Sequence, residues 1–147
     1  MKKPRRAADL SKTVCMDLAR GFHRVRAEMV AHAERYAREA GVEASLLALI
    51  HVLGLRGPTR MSDLAERTVI AAPSITRRAK QLEALGLAVR ERAPTSDREV
   101  LIRLTEAGRA LFERSFRFIH DEHARYFDDR LGAAEQRQLL ALLERLR

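Results

Sequence analysis

Residues 62–86, SDLAERTVIAAPSITRRAKQLEALG, contain two short helical patterns separated by a turn. The first helix is predicted over 62–68. The second is predicted over 73–85, because Pro73 suits the first turn of a helix and Gly86 is a favoured residue just after the end of one. Two short helices joined by a tight turn have the proportions of a helix-turn-helix.

The second predicted helix has one apolar side and one polar side. Projected at about 100° per residue, its apolar side carries Ile75, Ala79, Leu82 and, at the edge, Leu85. The residues that we expect to contact DNA are Pro73, Ser74, Thr76, Arg77 and Lys80. Threonine can touch a thymine methyl group or a phosphate, arginine can pair with guanine through two hydrogen bonds, and lysine can meet a phosphate. This face predicts insertion into the major groove; the alternative is an ordinary solvated helix face.

The hydrophobic period changes after Gly86 from that of a helix to that of strands. Residues 87–92 and 100–104 are predicted strands, and 93–99, with its proline, threonine, serine and aspartate, is predicted to be the tip of a hairpin. A basic hairpin directly after a helix-turn-helix predicts a winged helix, whose wing lies over the neighbouring minor groove. The wing residues that we expect to contact DNA are Arg90, Arg92 and Arg98.

Helices are predicted on both sides of this central block. An apolar stripe at steps of three and four predicts one long amphipathic helix over 10–40, and the almost continuously apolar residues 43–55 predict a short buried helix. Thr105 is a favourable N-cap for a helix over 106–129, and a final helix is predicted over 133–147.

The predicted fold class is therefore mainly α with a small β-hairpin wing. The winged helix-turn-helix occupies about 43–104, within a single domain over 10–147. The flanking helices, about 10–40 and 105–147, carry more apolar surface than a winged helix of this size can cover, so we expect them to form a dimer interface. Residues 1–9 are predicted to be a mobile basic tail.

The charge of the chain is localised. The 147 residues include 28 Lys or Arg and 20 Asp or Glu, which gives a formal net charge of +8. Residues 1–12 and 56–109 each contain four more basic than acidic residues, whereas 13–55 and 110–147 are balanced. A localised basic block is the electrostatic signature of nucleic-acid binding.

The composition excludes several classes of protein. Apolar residues make up 46% of the chain, enough for a buried core rather than a disordered chain. One cysteine cannot form an internal disulfide, and no apolar run approaches the roughly 18 residues of a membrane span, so a cytoplasmic protein without a membrane partner is expected. The sequence has no phosphate loop, dinucleotide fingerprint or nucleophile with a base at interpretable spacing, so an enzyme is not expected.

Together these motifs resemble the MarR family of bacterial transcriptional regulators. The resemblance is carried by SDLAER (62–67), PSITR (73–77), LEALGL (82–87) and DREVLIRLTEAGR (97–109). It implies a homodimer whose two winged helices bind a palindromic operator in double-stranded DNA. It also implies a repressor that releases DNA when it binds a small ligand, often an anionic aromatic one, or when it is oxidised.

Three positions depart from the family's pattern. Ser96 replaces the aspartate that normally pairs with the wing arginine, and Asp97 is displaced by one residue. Glu43 stands where a serine or threonine usually caps the second helix, and Arg78 stands where an apolar residue is usual.

The resemblance also indicates residues that could sense a signal. Relatives bind aromatic acids in a pocket lined by the first two helices. The candidate ligand-binding residues on these helices are therefore Phe22, Arg26 and His51. Peroxide-sensing relatives use a cysteine in the first helix, where this chain has Cys15; the alternative for Cys15 is a small buried apolar residue. His120 and His123 are three residues apart, but no second cluster accompanies them, so neither a metal nor a cofactor is predicted.

Two other functions remain open from the sequence beside a ligand-controlled repressor. One is a redox-sensing repressor that acts through Cys15. The other is an architectural or protein-interaction module that uses the winged helix without reading sequence, and such a module would not need Thr76 and Arg77 on a base-reaching face.

Overall fold

The computed structural model of the chain describes residues 12–67, 72–93 and 96–146, with side chains over 14–64, 74–93 and 99–146. The helices and strands of these ranges are, in order, α1 (Lys12–Glu39), α2 (Ala44–Arg56), β1 (Thr59–Arg60), α3 (Met61–Arg67), α4 (Ala72–Ala84), β2 (Ala88–Ala93), β3 (Ser96–Leu104), α5 (Glu106–Asp128) and α6 (Ala133–Glu144). The predicted basic tail at 1–9 lies outside the described residues.

The helices agree with the sequence prediction to within a few residues at each described end. Thr105 caps α5, because its hydroxyl accepts a hydrogen bond from the backbone N–H of Gly108 at 3.1 Å. Gly86 has a φ of +68°, a conformation that favours glycine, and turns the chain from α4 into the wing. Glu43, at the start of α2, forms no side-chain capping hydrogen bond. The mainly α fold class with a small β wing is confirmed.

The wing has longer strands than predicted. Strand β2 continues to Ala93, β3 begins at Ser96, and these two residues are Cα partners. The hairpin tip is therefore shorter than the predicted 93–99. The register shifts between Arg92 and Ala93. Polar residues at 96–99 indicated a loop, and in this stretch Ser96 alone has a Cα partner on β2. Residues 97–99 fall in the register shift, and Val100 continues the ladder opposite Arg92.

The sheet contains a third strand that was not predicted. Strand β1 pairs antiparallel with β3, with Thr59 opposite Ile102 and Arg60 opposite Leu101, and the strand order is β1-β3-β2. A strand of two residues has no period that a sequence could reveal. It forms because Ile102, fully buried, brings β3 against the core beside the start of α3.

The main core lies between α2 and the other elements of the winged helix. Leu49, Ile50 and Leu53 of α2 are buried, and they belong to one cluster with Leu64, Ile75, Ala79, Leu82 and Ile102. A smaller cluster joins one buried residue from each of three helices, α1, α2 and α5, namely Ala37, Leu47 and Ile119. The two clusters therefore hold the winged helix against the flanking helices.

Large apolar side chains remain exposed on the flanking helices. They are Val14, Met16, Leu18 and Phe22 at the start of α1, and Leu140, Leu142, Leu143 and Leu146 within or just after α6. Helix α6 has no buried residue. Groups of exposed apolar side chains are typical of surfaces that contact another molecule.

None of the helices in the described ranges is both long and apolar enough to cross a membrane.

Candidate nucleic-acid interface

Helix α4 has a buried side and a polar side. Ile75, Ala79 and Leu82 are at most 1% exposed and pack into the core, as predicted. The predicted DNA-contacting residues that the helix exposes to solvent are Thr76, Arg77 and Lys80. Ser74 is half-buried at the start of the helix, and the side chain of Pro73 lies outside the described part of the chain.

The exposed side chains of α4 are available for an external partner. Thr76, Arg77 and Lys80 form no ion pair or side-chain hydrogen bond with any residue that the structure describes. A guanidinium and an ammonium within one turn of a helix, beside a hydroxyl, match the phosphates and guanine edges of a major groove.

One wing arginine is bound to α4. The Nε atom of Arg90 on β2 lies 3.2 Å from the Oε2 atom of Glu83, and each side chain is about one-third exposed. This pair places Arg90 beside α4 and neutralises part of its charge. Glu83 was not predicted to belong to the interface, because nothing in the sequence indicates that β2 returns beside the last turn of α4.

Two further ion pairs tie the strands of the wing together. Arg103 on β3 pairs with Glu91 on β2, and Arg60 on β1 lies 2.8 Å from Glu99 on β3. Arg92 is exposed and has no ion pair with the described residues. Of the three predicted wing contacts, Arg90 is paired with Glu83 and Arg92 is unpaired. The side chain of Arg98 lies outside the described ranges.

The turn after α4 is hydrogen-bonded to the start of α5. The backbone N–H of Thr105 donates to the carbonyl of Leu87 at 3.1 Å, and the Thr105 hydroxyl donates to the carbonyl of Gly86 at 2.7 Å. A Cβ atom on Gly108 would lie 1.9 Å from the same Leu87 carbonyl oxygen, so only glycine allows this approach. The orientation of α4 is thus coupled to that of α5.

Leu85, just after α4, is 57% exposed, so the prediction that it lies at the edge of the buried face is wrong. The helix ends at Ala84, and the side chain of Leu85 therefore leaves the buried stripe that Ile75, Ala79 and Leu82 continue.

A cluster of charged and aromatic residues joins α1 to α5. Arg35 donates to Glu122, which holds the pKa of that carboxyl below its usual value, and Arg35 also lies over the ring of Phe118 at 5.2 Å. The rings of His32 and His123 are 5.4 Å apart, and Nδ1 of His32 is buried without a partner among the described residues. Burial, and then the neighbouring His123, lowers the pKa of His32.

The predicted ligand-binding residue His51 lies between α2 and α5. Its Nε2 atom is 2.8 Å from the hydroxyl of the buried Ser115, and its ring meets Phe112 edge-on at 5.6 Å. The ring of Phe116, which is 40% exposed, is 6.1 Å away. Burial lowers the pKa of His51, so the neutral imidazole is favoured at this place.

The other two predicted ligand-binding residues lie elsewhere in a single chain. Phe22 and Arg26 are both exposed on the first half of α1. Tyr36, on the same helix, contacts Phe118, one turn from the Ser115 that binds His51. Phe22 is fourteen residues before Tyr36, a separation of about 21 Å along a helix. One chain therefore does not bring Phe22 and Arg26 together with His51.

Cys15 is exposed on α1, which contradicts the alternative that it is a buried apolar residue of the single chain. Within the described ranges, no group of three or more His, Cys, Asp or Glu side chains has a geometry that could hold a metal ion.

Comparison with protein families and with known proteins gives a consistent result. The model of the MarR family matches residues 41–99. The chain is 29% identical over 130 residues to YkoM of Bacillus subtilis (strain 168), an uncharacterized HTH-type transcriptional regulator, and covers 84% of its length. It is 34% identical over 110 residues to YdgJ of the same organism, also an uncharacterized HTH-type transcriptional regulator, and covers 65% of its length. These matches span 88% and 73% of the chain.

Solved structures share the fold. Wild-type MarR from E. coli in its apo form superimposes with a TM-score of 0.75 at 21% identity, over 88% of this chain and 96% of that one. A cysteine-to-serine variant of E. coli MarR in complex with operator DNA gives 0.74 at 20% identity, over 90% and 94%. BpsR of Bordetella bronchiseptica, whose DNA binding is regulated by 6-hydroxynicotinic acid, gives 0.71 at 22% identity, over 88% and 98%.

Proposed function

The chain belongs to the MarR family of transcriptional regulators, and we propose that it is a sequence-specific repressor that binds a palindromic operator as a homodimer. The relatives and the fold are those of regulators rather than enzymes. The observation that carries the proposal is the exposed, unpaired trio Thr76, Arg77 and Lys80 on α4. We place the protein in the cytoplasm, where a bacterial regulator meets its DNA.

The proposed homodimer is supported by the apolar side chains that a single chain leaves exposed. The first half of α1 and the C-terminal half of α6 present them, and an apolar cavity of about 460 Å³ lies between Phe127 and the α6 residues Leu139, Leu140 and Leu143. A second copy would cover this surface, and its α4 would then read the second half of a palindrome. Two recognition helices on one face of B-DNA need to lie about 34–36 Å apart.

The proposed effector is a small anionic aromatic molecule. The relative BpsR is regulated by such an acid, and here a half-exposed aromatic surface of Phe116 borders His51. Because Phe22 and Arg26 lie about 21 and 15 Å along α1 from Tyr36, which is on the side of His51, a site with all three residues would need Phe22 and Arg26 from one copy and His51 from the other. A ligand between copies would change the spacing of the two α4 helices and weaken binding to both half-sites.

The experiment that tests this proposal is a footprint of the purified protein on the DNA upstream of its own gene. A repressor of this kind is expected to protect two half-sites about 10 base pairs apart, centre to centre, and to bind that duplex about 10³-fold or more tightly than random DNA. Equal affinity for the two DNAs would instead support the architectural or protein-interaction module.

A second candidate mechanism is redox sensing through Cys15. Cys15 is exposed in a single chain. Because oxidation by peroxide requires an accessible thiol, this mechanism also requires that the second copy leave Cys15 uncovered. Release of operator DNA by hydrogen peroxide from the wild type but not from Cys15→Ser would support this mechanism. Release by salicylate from both proteins would support the ligand mechanism.

A further inference from the structure

The side of α4 that faces away from the wing contains buried polar atoms without partners. The Nε and Nη1 atoms of Arg78 are buried and have no hydrogen-bond partner among the residues that the structure describes. The same is true of the Oε1 atom of Gln81, one turn further along the helix. Buried polar atoms without partners are destabilising. Folding alone therefore does not account for an arginine at position 78, where an apolar side chain would pack without this penalty.

The guanidinium of Arg78 still reaches the surface through one nitrogen. Arg78 as a whole is half-buried, and its Nη2 atom is not one of the buried unpaired atoms. No ion pair joins Arg78 to an acidic residue of the described ranges. This holds even for Glu43, which lines a cavity of about 320 Å³ together with Gln81. Nη2 is thus a charged donor that can bind an acceptor from outside the chain.

Helical spacing places Arg78 beside the base-reaching face of α4. At about 100° per residue, Arg77 lies between Thr76 on one side and Arg78 on the other. The side of Thr76 is also the side of Glu83, whose partner Arg90 belongs to the wing. A major groove is about 12 Å wide, and a helix inserted in it has a sugar-phosphate backbone on each flank. When Arg77 points at the bases, Arg78 is therefore directed at the backbone away from the wing.

We propose that Arg78 is a phosphate contact on the flank of α4 that faces away from the wing. In the DNA complex its Nη2 atom donates to a phosphate oxygen, and the phosphate supplies the negative charge that no described residue provides. The chain then keeps a destabilising side chain because DNA binding uses it, as is common at functional sites. This inference rests on the proposed function, and it adds a contact that lies outside the exposed trio Thr76, Arg77 and Lys80.

The test compares the salt dependence of DNA binding in the wild type and in two variants of Arg78. Anisotropy of a labelled operator duplex gives the association constant K at several salt concentrations. Arg78→Met is expected to weaken binding about tenfold or more and to reduce the slope of log K against log salt concentration by about 0.9 for each copy bound. Arg78→Lys retains the charge and should retain the slope. Arg117→Met, the same change at an exposed arginine of α5, is the control and should change neither affinity nor slope.

Two further measurements separate a phosphate contact from other roles. Because phosphates carry no sequence information, Arg78→Met should weaken binding to a random duplex as much as to the operator. Urea denaturation should show that Arg78→Met is at least as stable as the wild type, so that misfolding does not explain the weaker binding.

The proposal is overturned if Arg78→Met keeps the slope of the wild type, or if Arg78→Lys loses as much of it as Arg78→Met. It is also overturned if Arg78→Met loses its preference for the operator, which would make Arg78 a base contact, or if Arg78→Met is less stable. A wild type with equal affinity for both duplexes would count against the proposed repressor, and the variants of Arg78 could still be compared on the random duplex.

Discussion

The Nε atom of Arg90 lies 3.2 Å from the Oε2 atom of Glu83, so a basic residue of the wing is bound to α4. Arg92, two residues further along β2, is exposed and has no such pair among the described residues. Both arginines lie on β2, two residues apart, but the positive charge of Arg90 is partly neutralised by Glu83, whereas that of Arg92 is available to a phosphate.

This difference predicts unequal effects on DNA binding. Arg92→Ala is expected to weaken binding and to reduce the slope of log K against log salt concentration by about 1, as the loss of one phosphate contact does. Arg90→Ala should reduce the slope by less, because Glu83 already neutralises part of its charge. Fluorescence anisotropy with a labelled duplex at several salt concentrations measures both slopes. A larger slope change for Arg90→Ala would mean that the pair opens on DNA.

A substitution within α4 is expected to stabilise the protein. The Nε and Nη1 atoms of Arg78 are buried and have no hydrogen-bond partner among the described residues. Buried donors without partners are destabilising, so Arg78→Met should raise the free energy of unfolding by about 1–3 kcal/mol. Urea denaturation at a fixed protein concentration measures the change. The control is Arg77→Met on the exposed face, whose free energy of unfolding should change by no more than about 0.5 kcal/mol. A less stable Arg78→Met protein would contradict the unpaired burial of the Arg78 guanidinium.

The stability of the fold should fall in mild acid. Burial lowers the pKa of both His32 and His51 below the usual value of 6.5. The unfolded chain therefore binds more protons than the folded one as the pH falls below about 6.5, and the stability present above that pH is lost. For His32 the neighbouring His123 and Arg35 act in the same direction, whereas Glu28 and Glu122 oppose them.

Urea denaturation at pH 7.5 and at pH 5.5 measures this loss. The double variant His32→Gln/His51→Gln should lose less stability between the two pH values than the wild type, whatever its absolute stability. His23→Gln, on the exposed side of α1, serves as the control and should lose as much as the wild type. Equal losses in all three proteins would show that other groups control the acid response.

The dimer should depend on α6. Leu140 is 57% exposed and lines the apolar cavity beside Phe127, so Leu140→Glu places a charge in the proposed interface without disturbing a buried core. We expect the wild type to have twice the 16.7 kDa mass of one chain by light scattering at micromolar concentration, and Leu140→Glu to shift towards the monomer. Gln138→Glu, exposed on the same helix, should remain dimeric. A monomeric wild type would refute the homodimer.

Most of the fold could be predicted because it is encoded locally. The helices follow from apolar residues at steps of three and four. Gly86 turns the chain after α4 through its positive φ, and Thr105 begins α5 by capping it. Strand β1 could not be predicted, because its two residues are extended only through pairing with β3. The length of β3 was underestimated for the same reason, since Ser96 joins the sheet only through its pairing with Ala93 beyond the register shift.

The candidate site divides in the same way. The polar face of α4 follows from helical spacing, so Thr76, Arg77 and Lys80 could be identified from the sequence. The pairing of Arg90 with Glu83 could not, because it depends on how β2 returns beside α4. The unpaired burial of Arg78 could not be predicted either, because it depends on the packing around α4.

If α4 reads DNA sequence through Arg77, a competition between two duplexes will show it. Anisotropy of a labelled operator duplex, displaced by unlabelled operator or by random duplex at one salt concentration, gives the preference of each variant. Arg77→Ala is expected to lower that preference by about 1–3 kcal/mol, as the loss of a bidentate base contact does. Lys80→Ala should weaken binding to both duplexes alike and leave the preference unchanged. An Arg77→Ala protein that loses equal affinity for both duplexes would make Arg77 a phosphate contact and contradict the claim.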